Sequence, residues 1–387
     1  MREVKHPIDR QVTMKSMKMV GLSVKSAAVA LTFAFLTGCA TAPQVKERYF
    51  WPPLPDTPRI EWLGAYSGEG DLKTKGALAA LLGEEFSKRL GFPVYVTSDG
   101  AGKIYVSDHV LRGVMVFDLA QKEAHALGGE KTAGMFQLPS GVALDGDGNI
   151  YVGDSPKKTI TVFDRSENAK AVFDLTKDVK SIASIAIDRN RKRLYVPDVQ
   201  GHKIAVYDLA GKLLRTIGPQ RGGGDGEFNF PTSVALDKDG NLVVCDSMNA
   251  RIQRLSPEGE FLGKFGKRGD GIGEFNIIKA AAVDSEGHIY VTDGKGHKVT
   301  IFNEKGETLM QFGGAFAQQA GTTVAPGGFL LPQGIFIDGN DTIYVVDQMN
   351  YRVQVFQYMN DKYWKEHPVP GQQPPQEAVV PAKAPAK

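Results

Sequence analysis

Residues 231–255 read PTSVALDKDGNLVVCDSMNARIQRL, and residues 332–356 read PQGIFIDGNDTIYVVDQMNYRVQVF. In both, an apolar strand runs into Asp and a short Gly or Asn turn, a second strand closes on another Asp, and a third strand follows a further turn. The same phrase occurs four more times, as PVYVTSDGAGKIYVSD, PSGVALDGDGNIYVGD, ASIAIDRNRKRLYVPD and KAAAVDSEGHIYVTD. The closing residues are Asp108, Asp154, Asp198, Asp246, Asp293 and Asp347, spaced 44 to 54 positions apart. A period of this length marks a solenoid or a ring of equivalent units.

Most copies add a fourth strand, such as KLLRTIG, FLGKFG and TLMQFGG, and Gly-rich turns separate them. Four short strands of alternating polarity make one antiparallel blade, so six copies predict an all-β, six-bladed propeller. Such a ring must be closed, because an open one leaves unpaired strand edges. The sixth copy stops after its third strand, RVQVFQY, while RIEWLGAY at 59–66 has no blade of its own. This N-terminal strand is expected to complete blade six.

The repeated pattern resembles the NHL repeat, with the copies at 231–255 and 332–356 fitting it closely. The resemblance runs from about Phe92 to Tyr358 and implies a six-bladed propeller. Copies one and three depart from it, with Val110-Leu111-Arg112-Gly113 in the first and no Pro before Ala183 in the third.

Outside the repeats, a basic start with Lys15, Lys18 and Lys25 precedes an apolar run from Ala27 to Leu36 that is too short to span a bilayer. With Leu36-Thr37-Gly38-Cys39-Ala40 it resembles a lipoprotein signal, residues 1–38, with 1–13 an over-long start and Cys39 the lipidated residue. Two or more acyl chains anchor stably. Ala40, in place of Asp, favours the outer membrane, so the expected location is the cell envelope, facing the periplasm. Residues 39–58 are rich in Pro and read as a tether, 59–366 as the propeller, and 367–387 as a Pro/Ala/Lys-rich disordered tail. Leu78, Leu81, Leu82 and Phe86 share one face of an expected short helix over 76–90.

The 387 residues are 42% hydrophobic and 23% charged, with net charge +2, which becomes −2 without residues 1–38. That excludes a wholly disordered chain and gives no footprint for nucleic acid. Two cysteines exclude a disulfide scaffold.

The Asp-rich turns 145–149 and 237–241 lack the terminal bidentate Glu of a calcium loop and read as hairpin turns. The closing aspartates read as structural, accepting backbone N–H groups of the following turn. His109, His202 and His297 belong to alternate blades, roughly 17 Å apart, too far to share zinc. Where the inner strands enter the ring stand Val94, Ser140, Ala183, Thr232, Lys279 and Gln333. None is a metal ligand, so no metal and no cofactor is expected. Lys279 with Ser140, Thr232 and Gln333 forms a candidate site for a small anion. Lys203, Arg251, Lys298 and Arg352, each five residues beyond a closing Asp, with Asn249 and Asn350, form a candidate partner face; pairing with that Asp explains the cations as well.

The leading expectation is a membrane-anchored binding or scaffold module for a protein, peptide or glycan. The alternative is a lactonase- or lyase-type enzyme acting at the central channel.

Overall fold

A computed structural model describes residues 47–73, 88–218, 220–319 and 325–375. The leader, Cys39 and the first part of the tether lie outside the described residues. From Arg48 the described chain forms one unit of six blade sheets, with a small parallel pair, Lys267–Arg268 and Glu274–Phe275, in one connector. The inner strands are Pro93–Ser98, Pro139–Leu144, Ala186–Asp188, Pro231–Leu236, Ile278–Val283 and Pro332–Ile337. Each contacts the next around the axis and the sixth contacts the first, so the ring is closed.

The strands are not polar on one face, as the expected alternation had it. In blade four the second strand, Leu242–Asp246, is buried at every position, whereas the outer strand, Phe261–Phe265, has no fully buried residue. A blade is covered on both faces by its neighbours, so its middle strands need apolar residues on both sides. Polarity changes with distance from the axis instead. Six apolar clusters fill the gaps between consecutive blades, including Tyr105, Val116, Val142 and Phe163 between one and two, and Val106, Phe117, Val346 and Val355 between six and one.

Glycine sets the spacing at two of these gaps. A Cβ on Gly141 would sit 2.4 Å from the Ile185 nitrogen, and one on Gly334 would sit 2.8 Å from the Tyr95 Cα. Copy three, which lacks the entering Pro, has an inner strand of only three residues.

Closure occurs where the sequence placed it. Ile60–Tyr66 pairs antiparallel with Arg352–Tyr358, from Ile60 opposite Tyr358 to Tyr66 opposite Val353. Ile60 is fully buried among Phe312, Phe329 and Phe356. The Trp62 indole N–H donates to Gln354 at 3.1 Å.

The tether and tail boundaries need correction. Tyr49–Trp51 adds a fifth strand outside Ile60–Tyr66, so the spacer expected through Pro58 gives way to folded chain at Arg48. The Arg48 guanidinium makes two 2.7 Å contacts to the Glu61 carboxylate and also donates to the carbonyls of His367 and Pro368. Tyr363, in the helix Asp361–Glu366, donates to the same carboxylate at 3.0 Å. Trp364 and Val369 are buried beside Met359 and Phe50. The tail is therefore docked past Val369, and Gln372 donates to the Pro55 carbonyl.

Asp361–Glu366 is the one α-helix among the described residues. The helix expected over 76–90 lies mostly outside them; its last residues, 88–90, are not helical, and Arg89 bridges to Gly68. Among the described residues no helix is long and apolar enough to cross a membrane.

Candidate functional site

Antiparallel connectivity gives the ring two unlike faces. Inner strands begin on the entry face, which also carries the turns between second and third strands. They end on the exit face, with the turns between first and second strands.

On the entry face the closing aspartates act as knots. Asp108 accepts the N–H groups of Val110 and Leu111 in the turn that follows it, and those of Gly91 and Phe92 in the segment leading into its blade. Asp198 and Asp293 repeat the pattern. The carboxylate thus staples a turn to the incoming chain, beyond the role read from sequence.

In blades four and six this knot absorbs the expected partner face. Arg251 Nε lies 2.7 Å from Asp246, and its other nitrogens reach the carbonyls of Gly223, Gly224 and Glu227. Arg352 Nε lies 2.7 Å from Asp347 and its Nη atoms reach Gln318, Ala325 and Gly328. Asn249 and Asn350 donate to the same two carboxylates at 2.8 Å. All four side chains face inward because the Gly-rich connector folds over them, which corrects their assignment to an exposed partner face. Burial raises the pKa of Asp347, with Arg352 opposing it. Lys203 and Lys298 remain partly exposed at the rim.

Two histidines also bind across blades: His202 Nδ1 accepts the Phe230 N–H, and His297 Nδ1 accepts the Leu331 N–H, both at 3.1 Å. Phe230 and Leu331 have positive φ, so each imidazole secures a strained entry.

The expected anion site contracts on inspection. Gln333 Nε2 donates to Gln348 at 2.9 Å, and Ser140 Oγ donates to the Gly153 carbonyl at 3.3 Å. Thr232 Oγ1 is buried without a partner. Lys279 is half-buried and makes no hydrogen bond or ion pair among the described residues, and burial pulls its pKa down against the opposing pull of Asp293. Thr232 and Lys279, on adjacent blades, are what remains of that site.

The turns around them are apolar and basic, while the connectors between blades on the same face carry Glu130, Asp178, Asp225, Asp270 and Glu274. The six turns, 109–112, 155–158, 199–202, 247–250, 294–297 and 348–351, contain no acidic residue, while Arg112, Lys157, Lys158 and Lys295 stand among them. Val110 is 66% exposed, Met248 55% and Ile272 82%. Leu111, Ile277 and Met349 are exposed on the same face. Five of the six exit turns, by contrast, carry at least one aspartate, blade three having Arg-Asn-Arg-Lys at 189–192 after the strand-final Asp188, and none holds an exposed large apolar residue among those described.

The sequence reading missed what separates the two mouths. One residue beyond the entry positions the six strands hold Tyr95, Gly141, Ser184, Ser233, Ala280 and Gly334. One large side chain among five small ones fills the axis. Tyr95 packs against the core between blades one and two and against that between blades five and six, and reaches toward Ser184 and Ser233. Its hydroxyl and the Ser184 hydroxyl are buried without a well-formed hydrogen bond, and burial raises the phenol pKa. Beyond Tyr95, toward the exit face, lies a cavity of about 280 Å³. Comparing the six copies in register could have revealed it.

Among the described residues no three His, Cys, Asp or Glu side chains converge as a metal site. Cys245 is free and buried, and burial pushes its thiol pKa up.

The NHL repeat family model matches residues 136–163 and 228–255. Among similar solved structures, a protein of unknown function from Bacteroides thetaiotaomicron is 16% identical with a TM-score of 0.58, covering 70% of each chain. A gluconolactonase from Xanthomonas campestris is 15% identical with a TM-score of 0.53, covering 78% of this chain and 95% of its own. An auxiliary nutrient binding protein from B. thetaiotaomicron is 14% identical with a TM-score of 0.53, covering 71% of each. At such identities the likeness establishes the fold alone. The NHL repeat model matches within blades two and four, and the chain is an all-β, six-bladed propeller.

Proposed function

We propose that this protein is a binding or scaffold module of the cell envelope, held to the membrane through lipid on Cys39, and that its entry face docks a protein or peptide partner. The observation that carries the reading is the asymmetry of the disk. Entry turns free of acid, bearing Arg112, Lys158 and Lys295 among exposed aliphatic tips, complement an acidic surface with apolar anchors. Charges of one sign steer association, and apolar tips supply area to bury.

The alternative, a lactonase- or lyase-type activity, requires ligating carboxylates or imidazoles on the axis. The axial side chains here are Lys279, Thr232 and Tyr95, and the described residues assemble no such donor set.

The test is affinity purification of the full chain from solubilised envelope, against the double variant Leu111→Asp and Met248→Asp. Both side chains are exposed, so folding is preserved. One partner recovered with the native chain and lost with the variant supports the reading. Equal recovery with both, or substrate turnover by the purified protein without a partner, overturns it.

A further inference from the structure

We propose that the exit cavity binds a small zwitterion carrying one apolar side chain, an α-amino acid of the leucine or phenylalanine type. The site lies on the face opposite the proposed docking surface and is independent of it.

Size comes first: about 280 Å³ falls just below the range of drug-sized sites, which run from roughly 300 Å³ upward, and so suits a smaller ligand. The wall is mixed: the side chains of Leu144, Ile187, Leu236, Val283, Phe336 and Ile337 ring the space above Tyr95, and Thr97, Ser98 and Ser233 add polar surface between them. A charge pushed to that depth would lose its hydration, so the part entering the throat must be apolar.

The rim supplies both signs of charge at separate places. Asp99 and Asp338 belong to adjacent blades whose exit turns touch, the Asn340 amide donating to the Gly100 carbonyl at 3.2 Å. Asp99 uses one oxygen for the N–H groups of Ala101 and Lys103, and its other oxygen accepts nothing among the described residues. Asp338 is already satisfied by Asn340, Thr342 and Tyr344, and so contributes charge more than hydrogen bonds. Arg189, from blade three, leans over blade two, its Nε donating to the Leu144 carbonyl at 3.3 Å. Its two Nη groups carry no hydrogen bond among the described residues and face solvent at the rim.

In the proposed pose the ammonium sits at Asp99, the carboxylate at Arg189 and the side chain points toward Tyr95. A simple anion would meet two carboxylates. A simple cation would leave Arg189 unused.

The test is calorimetric titration of the full chain with L-leucine, L-leucinamide, N-acetyl-L-leucine and glycine. Leucine is expected to bind, with each blocked derivative about tenfold weaker or more through loss of one charge-assisted contact, and glycine without measurable binding. Arg189→Ala is expected to lower leucine affinity to that of leucinamide while leaving leucinamide unchanged. Because Arg189 is exposed, its removal leaves the fold intact, and an unchanged unfolding midpoint verifies this. Three results overturn the proposal: no binding of leucine or phenylalanine at roughly 10 mM, a blocked derivative within about twofold of leucine, or no effect of Arg189→Ala. None of them bears on docking at the entry face.

Discussion

Replacing Ile60 by Ala is the sharpest probe of ring closure. Ile60 is fully buried in the cluster shared by blades five and six, and its strand joins the N-terminal segment to blade six, with Tyr49–Trp51 paired outside it. Removing three buried carbons there costs the transfer free energy and leaves a cavity, together about 2–5 kcal/mol. If this strand closes the ring, the loss appears in the global transition, because the sheet it completes also packs on blade one through Val346 and Val355. Urea denaturation followed by tryptophan fluorescence and circular dichroism reads the midpoint, with the slope expected to hold. Val172→Ala, on the exposed outer strand of blade two, is the control and should fall within about 0.5 kcal/mol of the native chain. The reasoning is refuted if Ile60→Ala behaves like the control. It is equally refuted if a minor early transition separates while the main midpoint stays put, since the strand would then be an appendage.

Arg352→Met should destabilise by about 3–5 kcal/mol, because it leaves Asp347 charged and buried. Adding Asp347→Asn should recover part of that loss, and additive costs in the double variant would show that the pair is not coupled. Gly141→Ala should cost about 1–3 kcal/mol through its backbone clash, whereas Gly339→Ala, with open space around it, should be near neutral by thermal unfolding. His202 accepts a backbone N–H and must be neutral to do so; burial first, then Arg221 and Lys180, hold its pKa below the ordinary value. A depressed folded pKa means its contribution is present above about pH 6.5 and is lost as pH falls through the folded value. Stability measured from pH 7 to 5 should therefore fall more steeply for the native chain than for His202→Gln, and parallel curves would contradict this.

The blades were legible because each repeats a local pattern, and closure was legible because one strand was missing where a spare one stood. What stayed hidden depends on contacts across the whole chain. Tyr49–Trp51 sits among prolines that read as a spacer, and its order comes from pairing with Trp62 and from the Arg48 contacts near residue 367. Arg251 and Arg352 showed the right spacing from their aspartates, yet only the Gly-rich connectors folded over them decide that they face inward. The exit cavity escaped because attention to where strands enter the ring leaves the other mouth unread, and a single Tyr95 divides the two.

The claim that the protein works as a binding module through one face is tested most directly by photo-crosslinking in the intact envelope. A crosslinking residue is placed singly at Leu111, Met248, Asp239 or Asn340. The account predicts one discrete protein adduct from Leu111 and Met248 on the entry face and none from Asp239 and Asn340 on the exit face. Adducts from the exit positions, with the entry positions silent, would contradict it.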